Sequence, residues 1–249
     1  IRKLSSVIKK RFRTVPAGMW LAERVWEQQL ARSLAESGVK FIPLDEAHFL
    51  AAGLSETDLI GYYITEEQGK TLVLFPASKR LRYTIPFQPV SETIDFLRSL
   101  ATESGNRVIT FADDGEKFGG WPTTYKHVYE DGWLEEFFNA IEKNSDWIKM
   151  RHFTELMNEI PPIGRIYLPT ASYPEMMHWV LPVHAYAKYE EFSELLKGNK
   201  SLDEYQQFIR GGFWRNFFVK YPEVNTLHKK MLRISERAQA LKKEGKKVT

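Results

Sequence analysis

The amino-acid sequence predicts an α/β protein whose final part is helical. Short apolar runs alternate with stripes of helical spacing from residue 17 to about residue 170, the order of an α/β layer or barrel. From about Ser172 the strand-like runs stop and helical spacing continues alone. No cysteine occurs in the 249 residues, so no disulfide framework and no thiolate chemistry is at hand.

The elements follow in order. Ala17-Gly18-Met19-Trp20-Leu21-Ala22 is an apolar run ending at Glu23 and reads as a strand. Trp26, Leu30 and Leu34 recur every four residues, one face of a helix that Gly38 stops. Phe41-Ile42-Pro43-Leu44 is a short buried strand ending at Asp45, which completes a βαβ unit with parallel strands and a right-handed crossover. Ile60–Ile64 and Lys70–Phe75 flank Glu66-Glu67-Gln68-Gly69 and predict a hairpin lying off the main sheet. Ser91 caps a helix bearing Ile94, Leu97 and Ala101 on one side, and Arg107–Phe111 is the next strand. A helix over Trp133–Ile141, a strand at Ile148–Met150, a helix opened by Thr154 and a strand over Arg165–Leu168 complete the alternation. Beyond it, helices are predicted over Tyr186–Leu196, over Leu202–Ile209 and from Tyr221 onward. The division expected is a barrel-type domain over 1–171 and a helical segment over 172–249.

Hydrophobic residues at 43% and charged residues at 27% are ordinary for a soluble globular chain, and no run nears the ~18 apolar residues of a membrane span. The net charge of +3 is misleading until it is located. His228–Thr249 holds eight basic residues (Lys229, Lys230, Arg233, Arg237, Lys242, Lys243, Lys246, Lys247) against Glu236 and Glu244, so the remainder is slightly acidic. Lys and Arg toward the end of a helix complement its dipole, whereas a nucleic-acid surface needs basic groups gathered on a folded face. Neither nucleic acid nor membrane is expected as a partner, the protein is expected in the cytoplasm, and homo-oligomerisation stays open. The six histidines are scattered, with His178 and His184 six apart, and no spacing marks a metal site. The glycine pairs at 119–120 and 211–212 lack the Lys-Ser or Lys-Thr of a phosphate loop. No cofactor and no metal is therefore expected. The aromatic group Phe213, Trp214, Phe217, Phe218 and Tyr221, and Met176, Met177 and Trp179, read as helix-packing core.

Chemistry concentrates in Phe111-Ala112-Asp113-Asp114-Gly115-Glu116-Lys117-Phe118-Gly119-Gly120-Trp121-Pro122, directly after a predicted strand. Carboxylates are rarely buried without a partner, so an apolar strand that ends in three of them opens into a cleft. Two glycines allow a sharp turn there, and Trp121 offers a flat apolar face near the acids. Acids beside an aromatic platform suit a sugar-processing site; an acidic surface turn with a core-capping tryptophan fits the same residues. Glu23 ends another predicted strand, with Trp20 before it and Arg24 beside it. In a parallel barrel, functional side chains collect at the C-terminal strand ends. A carboxylate beside a guanidinium favours its charged form and suits a nucleophile, and Asp114, among acidic and apolar neighbours, suits a general acid. Paired carboxyls of this kind carry retaining glycoside chemistry. A structural ion pair of Glu23 with Arg24 remains the other reading.

Met19–Trp26 and Phe111–Trp121 resemble two motifs of glycoside hydrolase family 57, in its 4-α-glucanotransferase and α-amylase branch. The resemblance continues through Trp121–Tyr125, Tyr129–Leu134, Tyr167–Tyr173, Arg210–Phe217 and Lys220–Glu223, and so covers nearly the whole chain. It implies part of an incomplete (β/α)₇ barrel followed by a helical segment, and α-1,4-glucans and maltooligosaccharides as substrates. It implies transfer of glucan chains with retention through a covalent glycosyl-enzyme, with α-amylase-type hydrolysis or non-catalytic glucan binding as the alternatives. Glu23 would be the nucleophile and Asp114 the general acid/base, with Trp20, Asp113, Glu116 and Trp121 contacting substrate. The chain lacks the family's opening His-x-His-x-Pro-type strand, a glutamate preceding the nucleophile strand, and the last Asn-Asp-Ala-Tyr-Trp-His-like run. It is therefore expected to be an internal fragment of a longer enzyme, weakly active or inactive alone.

Overall fold

The computed structural model describes residues 1–196, 205 and 209–245, which divide into two compact units, 1–172 and 173–249. Among the described residues of the first unit, one four-stranded sheet is formed by β1 (Phe41–Asp45), β2 (Tyr63–Glu67), β3 (Lys70–Ala77) and β4 (Gly164–Arg165), in the order β1-β3-β2-β4. The chain is thus mixed α/β. β3 is the longest and organises the rest. Its first half pairs antiparallel with β2, Tyr63 facing Leu74 and Glu67 facing Lys70, and its second half pairs parallel with β1, Phe41 facing Val73 and Asp45 facing Ala77.

Two flanking segments join as single parallel bridges. Gly18 pairs with Phe41 at the β1 edge, and Thr110 pairs with Ala77 where β2 has already left β3. The parallel series therefore runs from 17–19 through β1 and β3 to 108–110, with all four segments ending on one side. The predicted strands Ala17–Ala22 and Arg107–Phe111 are present only as these bridges.

The hairpin turns at Gln68 and Gly69, whose φ values of 50° and 77° give the doubly left-handed turn that matches strand twist. It lies within the sheet rather than off it, because β3 carries both partners. The helix after Glu23 also starts later than its apolar stripe implies. Trp26 is fully buried but not helical; its backbone exchanges hydrogen bonds with Ala171 at 2.8 and 3.1 Å, and α2 spans only Leu30–Glu36. Ile148–Met150 forms no strand, and the strand at 165–168 shortens to β4, although Ile166 still donates to the Ile64 carbonyl at 2.9 Å.

Other helices of this unit are α1 (Arg2–Phe12), α3 (Glu46–Leu50), α4 (Lys79–Thr84), α5 (Val90–Leu100), α6 (Trp133–Lys143) and α7 (Phe153–Glu159). Leu21, Trp26, Leu34, Ile42, Leu44, Phe49, Leu72 and Leu74 fill one core around the sheet. A second, around Leu81, Ile85, Val90 and Trp133, packs α4, α5 and α6 together.

In the second unit the described helices span Pro174–Trp179, Val183–Leu196, Phe217–Lys220 and Pro222–Lys243. The helix expected over Leu202–Ile209 falls, apart from residues 205 and 209, outside the described residues. Gly211, at φ 70°, crosses so close to the Met177 carbonyl that a Cβ would stand 2.6 Å from its oxygen. Met177 is buried, whereas Trp179, Phe213 and Tyr221 remain about half exposed, so the expected aromatic core is only partly closed. Phe217 stacks on Tyr221 and Trp214 packs edge-on against Phe218. Among the described residues no helix is long and apolar enough to cross a membrane.

Candidate active site

The Glu23 segment begins where 17–19 leaves β1. Ala22–Arg24 makes a tight turn closed by the Arg24 N–H on the Leu21 carbonyl at 2.8 Å. Glu23 (φ 53°) and Arg24 (φ 46°) both adopt left-handed backbone, which costs a non-glycine residue about 1–3 kcal/mol. The turn persists because it is gripped from outside: the Ser172 hydroxyl donates to the Glu23 carbonyl, and His48 Nε2 stands 2.9 Å from the Arg24 carbonyl oxygen. Glu23 itself is exposed while Arg24 is buried. The Arg24 guanidinium lies 5.6 Å from the ring centre of Trp20, which is 41% exposed.

The Asp114 segment begins where 108–110 leaves β3. Asp114 and Glu116 are exposed on the turn that follows, and Lys117 beside them is buried. Gly120 N–H and Trp121 N–H both donate to the Glu116 carbonyl, at 2.8 and 3.0 Å. Gly119, at φ 112°, passes the Tyr129 ring where a Cβ would come within 3.0 Å. This close turn lays Trp121 on Phe87, with ring centres 6.0 Å apart and planes 16° apart. Lys117 Nζ stands 5.1 Å from the Phe87 ring and 5.9 Å from the Trp121 ring. Trp121, Phe87, Pro122, Thr123, Thr124 and His127 line a cleft of about 340 Å³. His127 Nε2 donates to the Pro86 carbonyl at 2.8 Å, and Thr123, a β-branched residue, holds φ 68°.

Asp113 does not stand with the exposed acids as the sequence reading had it. Its carboxylate is 1% exposed, paired with Lys117 and with Arg82 Nε at 3.4 Å, and its Oδ1 accepts the Asp114 N–H at 2.9 Å. The reason is local: the chain enters the turn with Asp113 pointing inward, and Arg82 on α4 waits there. Arg82 Nη1 also donates to Asp45 Oδ2 at 2.8 Å, at the end of β1. Burial works against the Arg82 charge, but Asp113 and Asp45 more than offset it and hold its pKa above the ordinary value. Asp45 Oδ1 caps α3 by accepting the Ala47 N–H at 3.1 Å. His48 on α3 is completely buried, with Nδ1 3.0 Å from the Asp45 carbonyl oxygen. Burial pushes the His48 pKa down; the Asp45 charge works in the opposite sense.

Glu23 and Asp114 thus stand exposed beyond the same ends of one parallel series, on its first and fourth members. Asp45, His48, Arg82 and Lys117 were not found from the sequence. A strand ending in an acid, as β1 does at Asp45, was the available signal, because a carboxylate at a buried strand end demands a cation. Among the described residues no group of three or more His, Asp or Glu gathers as a metal site.

Comparison with known proteins places these features in context. The model of glycosyl hydrolase family 57 matches residues 1–169, and that of the alpha-amylase/4-alpha-glucanotransferase middle domain matches residues 212–249. The chain is 48% identical over 239 residues to alpha-amylase 1 of Dictyoglomus thermophilum, covering 96% of this chain and 35% of that protein. It is 47% identical over 219 residues to 4-alpha-glucanotransferase of Thermococcus litoralis, covering 88% of this chain and 33% of that one. The crystal structure of 4-alpha-glucanotransferase from Thermococcus litoralis superposes with a TM-score of 0.90 at 44% identity, over 96% of this chain and 37% of that chain. An alpha-amylase from Thermotoga maritima, at TM-score 0.51 and 16% identity, shares the fold alone. The chain spans about a third of the length of the curated relatives it matches.

Proposed function

The chain belongs to glycosyl hydrolase family 57, and from that premise we propose that it carries the paired acids of a retaining 4-α-glucanotransferase built on a (β/α)₇ barrel. In this reading the Glu23 carboxylate attacks the anomeric carbon of an α-1,4-linked glucan. The C1–O4 bond breaks as Asp114 protonates the departing oxygen, leaving a glycosyl ester on Glu23. Asp114 then takes the proton of an acceptor sugar hydroxyl, whose oxygen attacks C1, and Glu23 is released. Two inversions return the α-configuration. Trp20, Glu116 and Trp121 are proposed to contact the glucan. Asp113 is instead proposed to hold the Asp114 backbone, since its carboxylate is enclosed.

One observation carries the reading: two exposed acids stand beyond the same ends of a parallel series, the first on a left-handed turn gripped by Ser172 and His48. Strained backbone held by outside bonds fixes a reacting group in place, which suits catalysis and would be idle in a binding module. Hydrolysis uses the same acids, with water in place of the acceptor, and relatives named for each activity support both. Incubating the full-length polypeptide carrying this chain with maltotriose separates them. Longer oligosaccharides mean transfer; glucose and maltose alone mean hydrolysis. Glu23→Gln and Asp114→Asn should each reduce either activity by at least roughly 10²-fold, and wild-type rates in either variant would contradict the roles.

A further inference from the structure

A flat sheet would hold the first and fourth members of the parallel series about 14 Å apart, three strand spacings. Two carboxyls that act on one sugar carbon must come within about 5.5 Å. What lies between them at the strand ends therefore matters, and it is a continuous line of buried polar groups. The Arg24 carbonyl, beside Glu23, stands 2.9 Å from His48 Nε2 and the Asp45 carbonyl 3.0 Å from His48 Nδ1; a neutral ring donates to one of the two, and α3, which carries His48, starts on the Asp45 cap. The Asp45 carboxylate takes Arg82 Nη1 at 2.8 Å, and Arg82 Nε lies 3.4 Å from Asp113 Oδ1. That same Asp113 oxygen accepts the Asp114 N–H at 2.9 Å. Lys117 closes the far end by bonding both Asp113 and the Arg82 carbonyl beneath the Phe87–Trp121 pair.

We propose that Arg82 is a positioning residue for both acids, tying the Glu23 turn to the Asp114 turn through Asp45–His48 on one side and Asp113 on the other. The inference rests on the reading of Glu23 and Asp114 given above. Its physical basis is directional. Side chains of Asp45, Asp113 and Lys117 are 3%, 1% and 6% exposed. Buried ion networks add little net stability over a well-packed apolar core. What they supply that apolar contacts cannot is fixed angles between segments, and here the segments joined are the two that bear the acids. Arg82 is the member that meets both sides, hydrogen-bonding Asp45 through Nη1 and forming an ion pair with Asp113 at 3.4 Å. A planar guanidinium reaches two carboxylates at set angles, and a lysine ammonium has no such fork.

The test compares Arg82→Met and Arg82→Lys in the full-length polypeptide carrying this chain. The readouts are kcat and KM for maltooligosaccharide transfer and the thermal midpoint. Small misplacement of reacting groups lowers kcat steeply, so Arg82→Met should lose about 10–100-fold in kcat with KM within about 3-fold. Arg82→Lys should recover part of the kcat. Wild-type kcat in Arg82→Met overturns the proposal. If that variant does not fold, Arg82→Lys carries the test: kcat lowered roughly 3–10-fold supports it, and wild-type kcat overturns it. Glu23→Gln and Asp114→Asn run alongside separate the two claims. If these stay inactive while the Arg82 variants keep wild-type kcat, only the positioning role fails; if they stay active, the reading of the acids fails first.

Discussion

Glu23 and Asp114 are exposed, yet each is anchored by a neighbour that is not. Arg24 is buried beside Glu23, and the enclosed Asp113 carboxylate holds the Asp114 N–H. In the proposed reaction, exposure would give each acid access to a sugar, and the buried neighbour gives it a fixed origin. His48 is the residue on which this arrangement is most sensitive to pH. Burial keeps its folded pKa below the ordinary 6.5, so an unfolded chain binds a proton that the native ring refuses. The unfolded state therefore holds more protons just below that value, and stability falls as pH drops through it, by up to about 1.4 kcal/mol per pH unit. Thermal melting between about pH 7.5 and pH 5 should show a steeper loss for the wild type than for His48→Gln, which has no such proton to take up. Parallel curves would contradict this account of His48.

At the scale of elements, the β2–β3 hairpin offers a test free of packing. Gly69 adopts φ 77° with nothing within 4 Å of where a Cβ would sit. Gly69→Ala therefore changes only backbone preference and should cost about 1–2 kcal/mol in urea unfolding, whereas an unchanged midpoint would mean that the turn is not held in this form. That hairpin was legible in the sequence because Gln68-Gly69 sits between two apolar runs. The β1 strand and α2 were legible by spacing for the same kind of reason. Trp26 was not: it shares the period of Leu30 and Leu34, but its partner is the distant backbone of Ala171, which no local pattern announces. Helices α3 and α4 are too short for periodicity and exist because Asp45 and Ser78 cap them, Ser78 Oγ accepting the Leu81 N–H at 3.3 Å. The exposed acids stood out as strand-end carboxylates. The Asp45–Arg82–Asp113 line did not, because its bonds join residues far apart in sequence and only folding brings them together.

On the scale of the molecule, the two units divide the labour differently. The first carries the sheet, both acids and the Phe87–Trp121 cleft. The described part of the second is helical and is pinned internally, with Lys220 Nζ donating to the Trp179 and Leu181 carbonyls at 2.6 and 2.8 Å. Both acids proposed for catalysis therefore lie within residues 1–172. The most direct trial is covalent: the full-length polypeptide carrying this chain is treated with a fluorinated α-glucosyl fluoride that forms the ester but hydrolyses slowly, then digested for mass spectrometry. The sugar should be found on the peptide at Glu23, and Glu23→Gln should not be labelled. A label on any other carboxylate, or equal labelling of the Glu23→Gln protein, would contradict the account.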